Sequence, residues 1–162
     1  MNGVTVRCAH GDDADWAARL MSASDPWITL GRAYDACLAA CTAPADVLEI
    51  AVLDGRRCGF VLVRPRGVAG APYIVSIAVD EAFRGHGVGA TLLAHIEAAY
   101  RGSSAHLFLC VSSFNNRARA FYDRHGFEEV GRFRDFIIPG ADEVLLHKRL
   151  DAVTSTGARA SH

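Results

Sequence analysis

The sequence lacks any block of like charge. Its 17 lysines and arginines nearly balance its 18 aspartates and glutamates, which leaves a formal net charge of −1. No stretch collects five or six residues of one sign, as nucleic-acid-binding and membrane-surface segments commonly do. We therefore expect neither a nucleic-acid partner nor a membrane partner.

Long apolar runs are missing too. No run approaches the length of a transmembrane helix, and residues 1–16 have no charged region followed by an apolar one, as a signal peptide would. These absences predict a cytoplasmic protein. The chain of 162 residues is 51% hydrophobic, which suits one domain with a sizeable core. We place that domain at residues 1–150 and expect the small, polar residues 151–162 to form a disordered tail.

Cysteine is scarce, with five scattered residues. The odd number and the lack of a secretion signal argue against a disulfide framework. Cys37 and Cys41 have the i, i+4 spacing of a helix and could share a metal ion, but no further cysteine or histidine cluster completes such a site. We expect no metal, and we expect this pair to be small core residues.

Hydrophobic periodicity predicts a mixture of strands and helices. The dipeptide Asp54-Gly55 stands between two strand-like runs and predicts a tight hairpin. Further strands are expected at residues 4–9, 71–80 and 105–111 and in the runs FEEVGRFRDF and DEVLLHKRL. Helices are expected over residues 12–21 and 24–43, from the glycine-rich stretch to residue 100, and in NNRARAFYDRHG. The pattern predicts one mixed α/β domain.

Residues 83–93, FRGHGVGATLL, place three glycines within five positions before a helical pattern. Amide N–H groups at the start of a helix have no partner in the helix, and the helix dipole adds positive partial charge there. Glycines let the main chain approach a bulky anion closely. Strand, glycine-rich turn and helix together predict a phosphate or pyrophosphate site.

Two familiar phosphate loops fit this stretch poorly. A nucleoside-triphosphate loop needs Gly-Lys-Ser/Thr at its end, and this loop ends in Gly89-Ala90-Thr91 without a lysine. A dinucleotide loop is matched literally by Gly85-x-Gly87-x-x-Ala90. Its context does not fit, because the next strand ends without the acidic residue that binds ribose and only one more helix follows.

The arginine in front of the glycines favours a third interpretation. Arg84-x-x-Gly87-x-Gly89, directly after a buried strand, resembles the acyl-CoA pyrophosphate loop of the GNAT superfamily, the Gcn5-related N-acetyltransferases. The anion would then be the pyrophosphate of coenzyme A.

A second stretch, VSSFNNRARAFYDRHGFEEVG, resembles a later motif of the same family, and the two motifs stand in the family's order. The matched positions are Asn115, Ala118, Tyr122 and Gly126-Phe127. The resemblance covers residues 73–134. It implies an α/β fold in which a mostly antiparallel sheet of six to seven strands contains a splayed parallel pair and is flanked by about four helices.

The resemblance also implies roles for individual residues. The backbone of the strand before the loop would pair with the pantetheine arm, and Asn115 would approach that arm from the other side of the cleft. The loop amides would hold the pyrophosphate. The strand residues are Ile77, Ala78 and Val79, and the loop residues are Arg84, Gly85, His86, Gly87, Val88, Gly89 and Ala90.

The implied reaction is direct transfer of an acetyl group from acetyl-CoA to a primary amine. Tyr122 would be the general acid for the departing thiolate, and the N–H of Val79 would meet the oxyanion of the transition state. The general base stays unassigned among Glu49, Glu143, His147 and water relays, because the strand before the loop carries no carboxylate or imidazole.

Other interpretations stay open. In similar enzymes the acceptor site lies in the N-terminal helices and the last hairpin, here residues 22–43 and 133–143. The acceptor could be a protein N-terminus in an open groove, or a small amine in a closed pocket lined by Trp27 and Tyr34. The chain could instead be a non-catalytic acyl-CoA-binding module, with Tyr122 as an ordinary core tyrosine. Under either interpretation, enzyme or binding module, the protein could form a homodimer.

Overall fold

The computed structural model describes residues 3–150. Within them the chain forms seven strands and four α-helices. The elements, in chain order, are β1 Thr5–Cys8, α1 Asp13–Ser22, α2 Tyr34–Cys41, β2 Val47–Leu53, β3 Arg56–Arg64, β4 Tyr73–Val79, α3 Val88–Tyr100, β5 His106–Ser112, α4 Asn116–Arg124, β6 Glu128–Ile138 and β7 Ala141–Arg149.

All seven strands belong to one sheet, in the order β1-β2-β3-β4-β5-β7-β6. Every neighbouring pair is antiparallel except β4 and β5, which are parallel. The helix α3 connects these two strands, as a parallel pair requires. The predicted α/β fold, with a mostly antiparallel sheet and one parallel pair, is confirmed.

The parallel pair separates soon after it begins. Only Tyr73 and Ile74 of β4 have partners on β5, which are Phe108 and Leu109. The pairing of β4 with β3 skips Val75, which marks a bulge, and then continues to the end of β4. Bulges bend a strand and increase its twist. The second half of β4 therefore stays with β3, and a gap opens between β4 and β5.

Two clusters of buried side chains cover the two faces of the sheet. One contains Leu92, Leu93 and Ile96 of α3, with inward-facing residues of β2, β3, β4, β5 and β7. The other contains Ala17, Ala18 and Met21 of α1, Cys37 and Cys41 of α2, and the inner residues of β2 and β3. The prediction that Cys37 and Cys41 are core residues is confirmed.

The hairpin at Asp54-Gly55 forms as predicted, between β2 and β3. Both residues have positive φ, 51° and 74°, which matches the right-handed twist of the flanking strands.

The helix predicted over residues 24–43 is wrong in its first half. Residues 24–31 form hydrogen-bonded turns, and α2 begins only at Tyr34. Gly31 has a φ of 71°, a left-handed conformation that ends a helix. The sequence signals at Pro26 mark the start of a short turn segment, residues 23–33, which we call the α1–α2 segment.

The predicted tail, residues 151–162, lies outside the described residues. Within residues 3–150 no helix has both the length and the apolar composition of a membrane span. The cytoplasmic location stays a prediction.

Candidate active site

The gap between β4 and β5 opens into a cleft of about 880 Å³. One end is lined by the glycine loop and α4, and the other by the α1–α2 segment and the β6–β7 hairpin. All the residues of β4 line the cleft between these ends. We call the two ends the loop end and the hairpin end.

The main chain of β4 presents unpaired groups to the gap. The N–H of Asp80, just after β4, donates to Cys58 O on β3 at 2.9 Å. Because successive residues of a strand point their N–H groups to opposite sides, the N–H groups of Ile77 and Val79 point away from β3 and into the gap. Ala78 instead pairs with Phe60 of β3. The backbone of β4 can thus bind an extended ligand along its open edge.

The glycine loop follows β4 after one 3₁₀ turn, Glu81–Phe83, which the Asp80 side chain caps by accepting from Ala82 N at 3.0 Å. Gly85 and Gly87 have φ values of 81° and 73°, and a side chain at either would meet open space. The loop is therefore left-handed at two positions and uncovered on its outer side.

The first hydrogen bond of α3 runs from Thr91 N to Gly87 O at 3.0 Å. The amides of Val88, Gly89 and Ala90 precede it and have no partner within the helix. They face the loop end of the cleft together with the positive end of the helix dipole. This arrangement suits a phosphate or pyrophosphate group.

Among the predicted loop residues, His86 alone does not line the cleft. Its side chain is exposed, and its Nδ1 lies 3.1 Å from Phe83 O. Arg84, Gly85, Gly87, Val88, Gly89 and Ala90 all line it. A role for His86 in ligand binding would have to come from its backbone.

Asn115 is both the N-cap of α4 and a residue of the cleft wall. Its Oδ1 accepts from Ala118 N at 3.2 Å. The cap uses the oxygen, so the side-chain amide N–H groups remain to donate to a ligand. Arg117 and Arg124, also on α4, line the cleft as exposed cations.

Tyr122 is 6% exposed and lines the cleft. Its ring makes edge contacts with Phe121 and Phe127, with centroid distances of 5.3 and 5.6 Å. Burial raises the pKa of the Tyr122 phenol well above its usual range. The phenol therefore keeps its proton at neutral pH and can donate it to a group in the cleft.

The three predicted candidates for a base lie in different places. Glu49 accepts from His95 Nε2 at 2.9 Å, and His147 lies 2.9 Å from His106 Nδ1, both outside the cleft. Burial lowers the pKa of His147. Glu143 alone of the three lines the cleft, where Ser112 Oγ donates to its Oε1 at 2.6 Å.

Tyr73 and Cys110 lie beside Glu143, where β4 and β5 begin to separate. Burial raises the pKa of Tyr73, and a hydrogen bond to the Cys110 side chain raises it further. Burial also raises the pKa of the Cys110 thiol, and the charge of Glu143 adds to that effect. Both groups are neutral at physiological pH.

The hairpin end of the cleft is mostly apolar. Its lining includes Trp27, Leu30, Phe133, Phe136 and Ile137. The rings of Phe133 and Phe136 lie 5.2 Å apart and are 43% and 64% exposed. Tyr34, which was expected beside Trp27 in a closed pocket, lies outside the cleft and donates to Asp15 instead.

The sequence also matches a known family. The model of the "Acetyltransferase (GNAT) family" covers residues 14–127. The chain belongs to the GNAT acetyltransferase family. One relative of this GNAT protein, a 5-NmdU N-acetyltransferase from Pseudomonas phage PaMx11, is 36% identical over 84 residues, which are 52% of this chain and 59% of the relative. Matches to curated relatives span between 20% and 64% of those relatives' own lengths.

Two solved structures share the fold of this GNAT protein. An aminoglycoside 6′-N-acetyltransferase complexed with coenzyme A has a TM-score of 0.74 at 12% identity, covering 91% of this chain and 97% of its own. The ribosomal-protein-S18-alanine N-acetyltransferase from Escherichia coli has a TM-score of 0.72 at 18% identity, covering 95% and 98%. At these identities the likeness establishes the fold alone, and with the family match it confirms the predicted family and fold.

Several cleft residues of the GNAT protein were not predicted from its sequence. Arg117 and Arg124 are seven residues apart, a spacing that puts them on one side of α4 and could have identified them. Phe133, Phe136 and Ile137 lie within residues 133–143, the hairpin expected to bind the acceptor, but no local signal singled them out within that range.

Proposed function

We propose that this GNAT protein is an acetyltransferase that moves an acetyl group from acetyl-CoA to a primary amine by direct attack. The observation that carries the proposal is the gap between β4 and β5, which leads straight into the glycine loop. An extended arm with an anion at one end and a reactive thioester at the other matches this arrangement. The coenzyme A complex of the aminoglycoside 6′-N-acetyltransferase, which has the same fold, supports the choice of ligand.

Coenzyme A would bind mainly through main-chain groups. The amides of Val88, Gly89 and Ala90, with Arg84 beside them, would hold the pyrophosphate. The backbone of Ile77 and Val79 would pair with the pantetheine arm, and the Asn115 amide would donate to it from across the gap. Arg117 and Arg124, on the same cleft wall, would add positive charge near the remaining phosphate.

The reaction needs an oxyanion donor and a proton donor. The N–H of Val79 points into the gap and would meet the oxyanion that forms on the thioester carbonyl. Tyr122, which is neutral and buried in the cleft wall, would donate its proton towards the departing sulfur as the C–S bond breaks. A non-catalytic acyl-CoA-binding module would have no use for that proton.

The acceptor would enter from the hairpin end. Its apolar lining suits an amine attached to an aromatic or aliphatic group. A protein N-terminus is the second candidate acceptor. Phe133 and Phe136 are exposed to solvent at this end, so the residues that follow the N-terminal amine of a peptide could pack against them outside the cleft. A small amine such as 2-phenylethylamine would occupy the same end alone.

Two measurements test the proposal. Thermal unfolding with acetyl-CoA, CoA, NAD or ATP should show a shift for the first two only; a ligand at 100 times its Kd adds about 2.7 kcal/mol of stability. Release of CoA thiol should then follow when 2-phenylethylamine or the peptide amide Ala-Ala-Phe-Ala is added. A shift with NAD but not with CoA would overturn the loop assignment. Binding of acetyl-CoA without turnover on either amine would favour the binding module.

A further inference from the structure

A buried carboxylate lies beside the gap between β4 and β5, opposite Ser112, which is three residues past Leu109, where the pairing of the two strands ends. Glu143 on β7 is 7% exposed, and Ser112 at the end of β5 is 2% exposed. The two residues are direct partners in the β5–β7 pairing, so the sheet register fixes their hydrogen bond of 2.6 Å. Within residues 3–150 this bond engages Oε1 of Glu143, and Oε2 has no hydrogen bond.

The side chains that surround Glu143 on the sheet carry no charge. Tyr73 approaches from β4 and Cys110 from β5, both protonated, and the residue opposite Glu143 on β6 is Phe133. Asp25 and Arg32 of the α1–α2 segment and Tyr122 of α4 line the same cleft. Among residues 3–150 the side-chain hydrogen bond to Glu143 comes from a neutral hydroxyl rather than from a cation, and Oε2 is left to accept another.

We propose that Glu143 is the general base for the acceptor amine and that Ser112 is its positioning residue. This inference rests on the proposed function and adds the group that receives the amine's proton. A primary amine is mostly protonated at pH 7, since its pKa is about 8 for an α-amine and about 10.4 for a lysine side chain. A buried carboxylate in the acceptor path removes that proton at the moment of reaction.

The protons balance as follows. The bound ammonium gives one proton to Glu143, which returns it to solvent, and the nitrogen then attacks the thioester carbon. A C–N bond forms and the C–S bond breaks. Tyr122 gives its proton to the sulfur, and the second proton that the nitrogen loses passes through solvent and restores the Tyr122 phenol. The products are the amide, the CoA thiol and one proton in solvent.

The other carboxylate and imidazole candidates are less suited. Glu49 accepts from His95 on the far side of β3, and His147 lies against His106 outside the cleft. Neither contacts the space between the strands. Glu49 therefore provides a matched control, because it is also a carboxylate on a strand of the sheet and has a side-chain hydrogen-bond partner, His95 of α3.

The test compares the pH profiles of turnover for wild type, Glu143→Gln and Glu49→Gln with 2-phenylethylamine and Ala-Ala-Phe-Ala as acceptors. Glutamine keeps an oxygen that accepts from Ser112, so folding should be retained, and thermal unfolding with acetyl-CoA checks this. We expect Glu143→Gln to lower kcat at pH 7 by about 10²-fold, a typical contribution of a general base. The kcat of Glu143→Gln should then rise about tenfold per pH unit until the free amine predominates. The kcat of wild type and of Glu49→Gln should reach its plateau at a lower pH than that of Glu143→Gln.

Ser112→Ala tests the positioning role. Loss of the hydroxyl removes a hydrogen bond to the charged carboxylate, so the acid limb of the kcat profile should move to higher pH while KM for acetyl-CoA stays unchanged. A merely structural loss would lower the rate at every pH without moving that limb.

The failures can be told apart. If wild type binds acetyl-CoA but acetylates neither amine, the proposed function fails and this inference with it. If wild type turns over and Glu143→Gln matches Glu49→Gln in rate and profile, only the assignment of the base is overturned.

Discussion

The two ends of the cleft are built from different parts of the chain. At the loop end the groups that face a ligand are mainly backbone amides of β4 and of residues 84–90. At the hairpin end they are side chains, with Trp27 from the α1–α2 segment and Phe133 and Phe136 from the β6–β7 hairpin. A main-chain site tolerates many side chains but few changes of backbone, whereas a side-chain site can change its ligand by single substitutions.

This difference indicates where specificity lies. Backbone amides recognise a pyrophosphate or an amide, groups that every acyl-CoA carries. Under the proposed function, the aromatic side chains of the hairpin end would recognise the shape of the acceptor, which differs from one amine to the next. Tyr122 lines the loop end from α4 and Glu143 lines the cleft from β7, and under the proposed function the acetyl group would pass from one ligand to the other near these two side chains.

The largest expected effect concerns the proposed proton donor, Tyr122. Tyr122→Phe keeps the ring contacts with Phe121 and Phe127 but removes the proton donor. We expect kcat to fall by about 10²-fold or more, in line with a typical general-acid contribution, while the affinity for CoA changes little. Steady-state kinetics and calorimetric titration with CoA measure the two quantities. Equal turnover by the variant and wild type would make Tyr122 a core tyrosine only.

A smaller effect is expected at the loop end. Gly87→Ala forces an alanine into a φ of 73° and puts its methyl group where an anion would lie. Strain costs about 1–2 kcal/mol, and the CoA dissociation constant should rise about tenfold or more, which is about 1.4 kcal/mol.

Gly55→Ala is the matched control for that variant. Gly55 has a φ of 74° and open space around it, and it lies in the turn of the β2–β3 hairpin, outside the residues that line the cleft. Both variants should lose similar stability on thermal unfolding, and only Gly87→Ala should lose CoA affinity. A parallel loss of affinity in both would show that strain, not the anion, is responsible.

The contrast between the loop end and the hairpin end also explains what could be predicted from the sequence. The loop end depends on local signals that follow one another along the chain. These are a strand, glycines at fixed spacing and the start of a helix. Residues 24–31 and the β6–β7 turn contribute to the cleft only after the sheet has brought them together. The sequence signals at Pro26 predicted a helix that Gly31 prevents, and nothing local separated Glu143 from Glu49 as a candidate base.

Charge at the loop end should contribute less than the backbone. The double variant Arg117→Gln/Arg124→Gln removes two exposed cations from the cleft wall. Exposed ion pairs are each worth up to about 1 kcal/mol, so the CoA dissociation constant should rise about fivefold at low salt. The difference from wild type should shrink at high salt, since exposed charges are screened. An effect that salt does not change would indicate a structural role for the two arginines.

The smallest effect is expected at the hairpin end, from a single exposed ring. Phe136→Ala removes a side chain that is 64% exposed in the free protein, so folding stability should change little. If the ring covers the acceptor, KM for 2-phenylethylamine should rise roughly threefold, because a partly buried aromatic contact contributes under about 1 kcal/mol. KM for acetyl-CoA should stay the same, because the ring lies away from the loop end. A rise in both constants would mean that the two ends of the cleft are coupled through the hairpin, and that the separation of main-chain and side-chain recognition is incomplete.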